Sequence, residues 1–210
     1  MARTRAATKR IDAVRATPRD PNLVEVRVAA RTVATLPRSR ADELGLREGA
    51  AWTPALAARV GHAGAVELAR EAALRFLAKR AWSASGLAER VARAGHDLEA
   101  ARDAVGALLA DGWLDDRAYA TDRAERLQRR GSRSEDALQA ALEADGVAPR
   151  LARAVARESA PGPAELRAEA RAARAAGERA GRVAARLARR GFDADTIRDA
   201  LERAGYDVDE

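Results

Sequence analysis

The run Gly112-Trp113-Leu114-Asp115-Asp116-Arg117-Ala118-Tyr119-Ala120 specifies a helix end, a corner and a helix start within nine residues. Upstream of it Leu98, Ala101, Val105 and Leu108 recur at helical spacing, which predicts a helix that stops at Gly112. Glycine at the first post-helical position accepts a left-handed backbone, and Trp113 is then placed to fold back onto Leu108. Asp115 is the natural cap of the next helix. Leu114 just outside that helix and Tyr119 inside it have the spacing of a hydrophobic staple, which fixes the angle at which the chain enters the helix. The corner predicts helix packed on helix, and the rest of the chain is read outward from it.

Toward the C-terminus, and back toward the N-terminus, the pattern repeats. Leu87, Val91 and Gly95 are matched by Leu138, Leu142 and Gly146, and again by Val183, Leu187 and Gly191. Each set is followed by a further helical pair, Ala101/Val105, Leu151/Val155 and Ile197/Leu201. The glycines are 51 and 45 residues apart, a spacing typical of helical repeat arrays. Each repeat reads as three helices with the glycine at the joint between the second and third. Ser132-Arg133-Ser134-Glu135 has the spacing of a capping box, whereas Ser83-Ala84-Ser85-Gly86 lacks the acidic member. Ala160-Pro161-Gly162-Pro163 marks a boundary. The helix after it has Leu166 as its one large apolar residue and cannot bury much, so the last repeat is expected to be the least stable.

The N-terminal quarter reads differently. Residues 1–9 are basic and small and are expected to be disordered. Ile11–Arg15, Val24–Val28 and Thr32–Leu36 are candidate strands, the second alternating valines with Glu25 and Arg27. Ser39 and Asp42 open a short helix that Gly45 closes. Thr53-Pro54 caps a helix, which Gly61 and Gly64 are expected to break before a longer helix from Ala65 to Ala81. A strand unit this small should pack on the helices that follow. The expected fold is mainly α, an elongated tandem array of three-helix repeats with a small N-terminal β-rich unit. Its divisions are a tail (1–9), a strand/helix unit (10–52), a first repeat with a lead-in helix (53–114), a second repeat (115–160), and a third repeat with an acidic tail (161–210).

Composition narrows function. The chain has 210 residues and no cysteine, which removes disulfides, thiolate metal sites and cysteine nucleophiles and suits a reducing cytoplasm. It has neither an apolar run of membrane-spanning length nor a secretory signal. Charge is uneven: ten Lys/Arg against three Asp/Glu in residues 1–40, eight against three in 161–190, and two against seven in the last eighteen. That asymmetry favours a nucleic-acid or nucleoprotein partner. Phosphate-loop and nucleophile-elbow motifs are missing, and His62 and His96 lack patterned metal partners. Asp115-Asp116 has the composition of an acid/base or metal pair, but its place at a helix start explains both residues. Trp113 and Tyr119 could stack on bases, but their spacing favours core packing. No cofactor or metal is expected.

Arginine stripes are the candidate binding residues. Arg123, Arg126 and Arg130 share one helix face. Arg167, Arg171 and Arg174 share another, and Arg182, Arg186 and Arg189 a third, with Arg190 beside it. Arg75 and Lys79 sit similarly in the first repeat. Any one stripe reads equally well as a solvated face; recurring in successive repeats, they are suited to following a polyanion.

The corner run resembles the signature of the RecX regulatory family. The resemblance extends from about Ile11 to Leu201. It takes in Ala73-Leu74 with Leu77, Arg80 and Ser83, then Gly131 ahead of the capping box, Gly191-Phe192, and Leu46-Arg47-Glu48-Gly49 after the strands. It makes Gly112, Trp113, Leu114, Asp115, Asp116, Tyr119, Gly131, Gly191 and Phe192 the structural signature. Gly86 departs from it, standing where the family usually has an acidic residue. The chain is expected to be a cytoplasmic monomer, and the resemblance implies a non-enzymatic regulator of the RecA recombinase. Such a protein binds the RecA–single-stranded DNA filament, with double-stranded DNA as a further partner. It restrains ATP hydrolysis, strand exchange and the co-protease activity of the SOS response in DNA repair. The alternatives are a helix-turn-helix transcription factor, which would need a base-reading recognition helix, and a helical-repeat adaptor for peptides.

Overall fold

A strand with one apolar face needs a partner layer, and the N-terminal sheet finds it in the helix that follows. The computed structural model describes residues 9–207; the predicted basic tail up to Thr8 and the last three residues of the acidic tail lie outside them. Strands β1 (Ile11–Ala16), β2 (Leu23–Val28) and β3 (Arg31–Pro37) form an antiparallel sheet in the order β1-β2-β3. Val24, Val26, Val28, Ile11 and Leu36 bury one face against Val60 and Ala63 of the following helix. The β2–β3 turn puts Ala29 and Ala30 at φ 50° and 62°, a left-handed conformation costly for alanine. Two side chains brace it: Asp12 accepts from the Ala30 N–H at 2.7 Å, and Arg27 donates to the Ala30 carbonyl.

The short helix α1 (Arg38–Glu43) is preceded by Pro37 as its cap residue; Ser39, expected to open it, lies inside. Helix α2 (Pro54–Leu77) starts as predicted, with the Thr53 hydroxyl accepting from the Leu56 N–H. It then runs through Gly61 and Gly64 without a break and ends at Leu77, four residues short of Ala81. Each interior glycine costs about 1 kcal/mol of helix propensity. Burial of Val60, Ala63, Ala69, Ala72 and Ala73 along the same helix outweighs that cost. Helices α3 (Ala84–Arg93) and α4 (Leu98–Ala110) follow, and α2 packs on both β3 and α4. Leu98, at the start of α4, is 39% exposed, and Ala100, Ala101, Ala104, Val105 and Leu108 form the buried face.

The chain divides into two compact units, one containing the residues through Arg80 with Leu87–Trp113, the other Ala81–Gly86 with everything from Leu114 onward. The second holds α5 (Asp116–Arg129), α6 (Glu135–Ala144), α7 (Pro149–Ser159), α8 (Pro163–Ala175), α9 (Ala180–Arg189) and α10 (Ala194–Arg203). Within it α7 packs on α5 and α6, and α10 on α8 and α9. Tyr119, Ala124, Leu127, Leu138, Leu142 and Val155 belong to one core. Leu166, Ala170, Val183, Leu187, Ile197 and Leu201 belong to another, with Phe192 and Tyr206 against it.

One contact recurs in this unit. The Ser83 hydroxyl donates to the Asp145 carbonyl and accepts from the Gly86 N–H, and Gly146 lies directly on Gly86, where a Cβ would stand 2.8 Å from the Gly86 nitrogen. Fifty-one residues after Ser83, Ser134 accepts from the Ala137 N–H as the cap of α6 and donates its own N–H to the Arg190 carbonyl. Gly191 lies on it, where a Cβ would meet the Ser134 hydroxyl at 2.6 Å and the Ala137 Cβ at 2.8 Å. Ser134, and not Ser132, is therefore the cap, and the predicted capping box does not form; the Ser132 hydroxyl donates to Glu169 instead. The approach of the Asp145 carbonyl, 3.0 Å from where a Gly86 Cβ would stand, also explains why no acidic side chain occupies position 86.

Three stability changes follow. Gly61 has open space where a Cβ would be, so Gly61→Ala is expected to stabilise by about 1 kcal/mol. Ala30→Gly should stabilise by about 1 kcal/mol by relieving the left-handed alanine. Gly191→Ala, strained at φ 91° and in contact with Ser134, should cost about 2–4 kcal/mol. Urea unfolding of the three variants checks all of them, and a neutral Gly191→Ala would contradict the close contact.

Candidate polyanion-binding surface

The corner sets the direction of α5. Gly112 takes φ 78°, and the Trp113 N–H donates back to the Leu108 carbonyl at 2.9 Å, the helix-ending bond expected of this motif. Asp115 caps α5 by accepting from the Arg117 and Ala118 N–H groups. Leu114 and Tyr119 are both buried, at 7% and 8% exposure. Asp116 does more than favour the helix dipole: its carboxylate accepts from the Ala84 N–H at 2.7 Å and so satisfies the first turn of α3. The core-packing reading of Trp113 does not hold, because its side chain is 60% exposed. The same backbone bond closes Val147 onto Leu142, Phe192 onto Leu187 and Tyr206 onto Leu201. In those three places the side chain is buried or half-buried, whereas at Trp113 only the backbone folds back.

The arginines divide into two sets. Arg123 donates to Asp145 at 2.6 Å, beside the Ser83 contact, with only 31% of its side chain exposed. Arg190 pairs with Glu169 at 2.7 Å, and Arg186 with Glu178 and Glu169. Arg190 also lies where a Gly131 Cβ would be, so Gly131 is the space the Arg190 guanidinium needs. Arg167 pairs with Asp199, which Arg203 also contacts. The Arg203 hydrogen bond, then that of Arg167, hold the Asp199 carboxyl below the ordinary carboxylate range. Arg126 pairs with Asp122 one turn away, on the surface, a contact worth about 0.3–0.5 kcal/mol.

The second set consists of Arg75, Lys79, Arg130, Arg171, Arg174, Arg182 and Arg189, all exposed and without an ion pair among the described residues. Arg171 and Arg174 share a flank of α8 with Arg167. Arg174 reaches Gly205 just past α10, where a Cβ would be 2.9 Å from its guanidinium. Arg167 and Arg203 share the Asp199 carboxylate, whereas Arg171 and Arg174 leave α8 with two guanidinium groups that no carboxylate among the described residues pairs. Arg130 and Lys79 lie just past the ends of α5 and α2. The Asp122 partner of Arg126 is legible at i,i+4 spacing, but Asp145, Glu169, Glu178 and Asp199 meet Arg123, Arg190, Arg186 and Arg167 from other helices or turns and carry no periodic signal.

Other chemistry is sparse. His62 and Asp103 meet at 2.8 Å on the surface, a contact the separation of 41 residues conceals in sequence. Among the described residues no three His, Cys, Asp or Glu side chains gather to hold a metal ion, and no helix is long and apolar enough to cross a membrane.

An exposed Trp113 changes the expected cost of removing it. Trp113→Ala should lower stability by less than about 1 kcal/mol, as at other exposed positions. Tyr119→Ala, from the buried staple, should cost about 3–5 kcal/mol. Thermal melts of the two variants should separate clearly, and equal losses would return Trp113 to the core.

No family profile and no curated sequence matches the chain. Solved structures do resemble it in three dimensions. A crystal structure of regulatory protein RecX superposes with a TM-score of 0.60 at 13% identity, covering 96% of this chain and 96% of that one. RecX from Lactobacillus salivarius gives a TM-score of 0.51 at 13% identity, covering 67% of this chain and 96% of the other. The mostly helical chain with its small N-terminal sheet therefore has the fold of the RecX regulatory proteins.

Proposed function

We propose that this chain is a cytoplasmic, non-enzymatic regulator of the RecX type that binds the RecA–single-stranded DNA filament. There it restrains ATP hydrolysis, strand exchange and co-protease activity, and so modulates DNA repair and the SOS response. The observation that carries the reading is the fold likeness to regulatory protein RecX over 96% of both chains. The corner run at Gly112–Ala120 supports it independently, since it resembles the signature of that family. The helical repeats at 53–114, 115–160 and 161–210 are the units proposed to engage the filament, each bringing a basic face. Several weak contacts on one chain then add through effective concentration. ATP and magnesium belong to the recombinase in this scheme.

Among the candidate residues, the unpaired ones are ranked first. Arg130, Arg171, Arg174, Arg182, Arg189, Arg75 and Lys79 can meet a phosphate without first leaving a carboxylate. Arg123, Arg126, Arg167, Arg186 and Arg190 must exchange an internal partner for an external one, and at half-buried sites that exchange gains little. Arg123 in particular is proposed to act on the joint between helices before it acts on DNA.

Two measurements test this. The purified protein should slow DNA-stimulated ATP hydrolysis by the RecA of its own organism in a saturable way; unchanged turnover and strand exchange at saturating protein would refute the reading. Arg171→Glu, Arg174→Glu and Arg182→Glu combined should leave helicity intact, because Glu and Arg have similar helix propensity. Filament binding should fall steeply, and the deficit should shrink at high salt. If all three meet single-stranded phosphates, the slope of log affinity on log salt should drop by about 2, at roughly 0.7 per contact. Arg123→Glu should instead lower the melting temperature, since it sets a second carboxylate against Asp145.

A further inference from the structure

The two glycines inside α2 remain to be explained, and only one is explained by packing. A Cβ at Gly64 would touch the Ala34 Cβ at 3.4 Å, so a small residue there lets α2 lie close on β3. Gly61 has nothing within 4 Å, although alanine would serve the helix better. Both glycines line a surface groove of about 560 Å³ between β3 and α2, within the first unit. Leu68, one turn beyond Gly64 on the same helix, is 59% exposed, and Val33 on the opposite wall is 40% exposed. Large apolar side chains flanking a concave strip, floored by residues without side chains, make a slot for a chain segment.

The wall opposite α2 is an open sheet edge. In the order β1-β2-β3 the outer side of β3 has no neighbouring strand among the described residues. Val33 is the extra residue of a bulge, since Val26 pairs with Ala34 and Arg27 with Thr32. A bulge discourages a long added strand, so an occupant is held chiefly by side-chain contacts over a short stretch.

Charge selects the occupant. The groove is lined by Asp20, Glu67 and Glu71, with Arg70 as its one cation. Glu67 is half-buried and makes no ion pair or hydrogen bond among the described residues. Burial pushes its carboxyl above the ordinary range, with Arg70 pulling it partly back, Glu71 adding to the rise and the Arg40 charge, outside the groove lining, lowering it least. A carboxylate so placed is stabilised by an incoming ammonium or guanidinium, whereas a phosphate backbone would be repelled.

We propose that the β3–α2 groove is a docking site for a short extended segment of a partner protein, one that sets apolar side chains against Leu68 and Val33 and a Lys or Arg against Glu67 and Glu71. This site is separate from the arginine surface and does not depend on the reading of that surface.

The test uses the full chain with methyl groups labelled for NMR. It is titrated separately with a nine-residue peptide alternating valine and lysine, the same peptide with glutamate for lysine, and a thymidine oligonucleotide. The lysine peptide should give saturable shifts centred on the methyls of Val33, Ala65 and Leu68. Glu67→Gln with Glu71→Gln should weaken it at least tenfold. Gly61→Leu, which fills the groove where the structure has open space, should abolish binding while circular dichroism shows the helices retained. Absence of saturable shifts at millimolar peptide would overturn the proposal. Equal binding of the glutamate peptide would overturn it as well, as would oligonucleotide binding in the groove or undiminished binding by Gly61→Leu. Peptide-free shifts at these methyls that grow with protein concentration would also overturn it, by assigning the groove to a second copy of the chain.

Discussion

The close contact between a serine at a helix start and a glycine at a later helix joint organises the second unit. It occurs at Ser83 with Gly146 and at Ser134 with Gly191. The serine satisfies N–H groups that a helix start leaves without partners. The glycine supplies both a left-handed backbone and the missing Cβ, so the joint can touch the cap. Neither half would suffice: a cap without the glycine would be held off by a side chain, and a glycine without the cap would leave polar groups unmet in a close-packed joint. The position at the start of α9 that corresponds to Ser83 and Ser134 is Arg179, which makes no side-chain cap bond, and no later joint among the described residues rests on it.

Arginine does two jobs in this chain. Where helices meet, Arg123, Arg186 and Arg190 satisfy carboxylates left partly buried by alanine-rich helices. Around α8–α10, where α8 contributes only Leu166 as a large apolar residue, the Ser132–Glu169–Arg190 and Glu178–Arg186 contacts add polar connections to a small core. Where no carboxylate is in reach, the same residue type is left exposed with its charge uncompensated. The abundance of arginine conceals this division. Only the position of each carboxylate on a neighbouring element decides whether a guanidinium holds the fold together or faces a partner.

The two faces proposed for interaction are opposite in character. The exposed arginines of α8 and α9 suit phosphate, and the β3–α2 groove, apolar with a carboxylate rim, suits a basic protein segment. Charge of one sign on one element and the other sign elsewhere lets a single chain distinguish two classes of partner.

Local rules determined much of the chain. Valine alternation places the central strand, Thr53-Pro54 starts α2, Gly112 and Asp115 form the corner, and the glycine joints fall where the repeat spacing puts them, because each feature depends on residues a few positions apart. The breaks expected at Gly61 and Gly64, the cap assigned to Ser132 and the burial assigned to Trp113 were decided by tertiary structure. Burial along the rest of α2 outweighed two glycines; Ser132 was drawn to Glu169, 37 residues away; and Trp113 is left 60% exposed, although its backbone closes the helix as its position requires. The arginine stripes were legible as residues at helical spacing. Their division into paired and unpaired members was not, because Coulomb and hydrogen-bond partners such as Asp145, Glu169 and Asp199 meet them only across the packed fold.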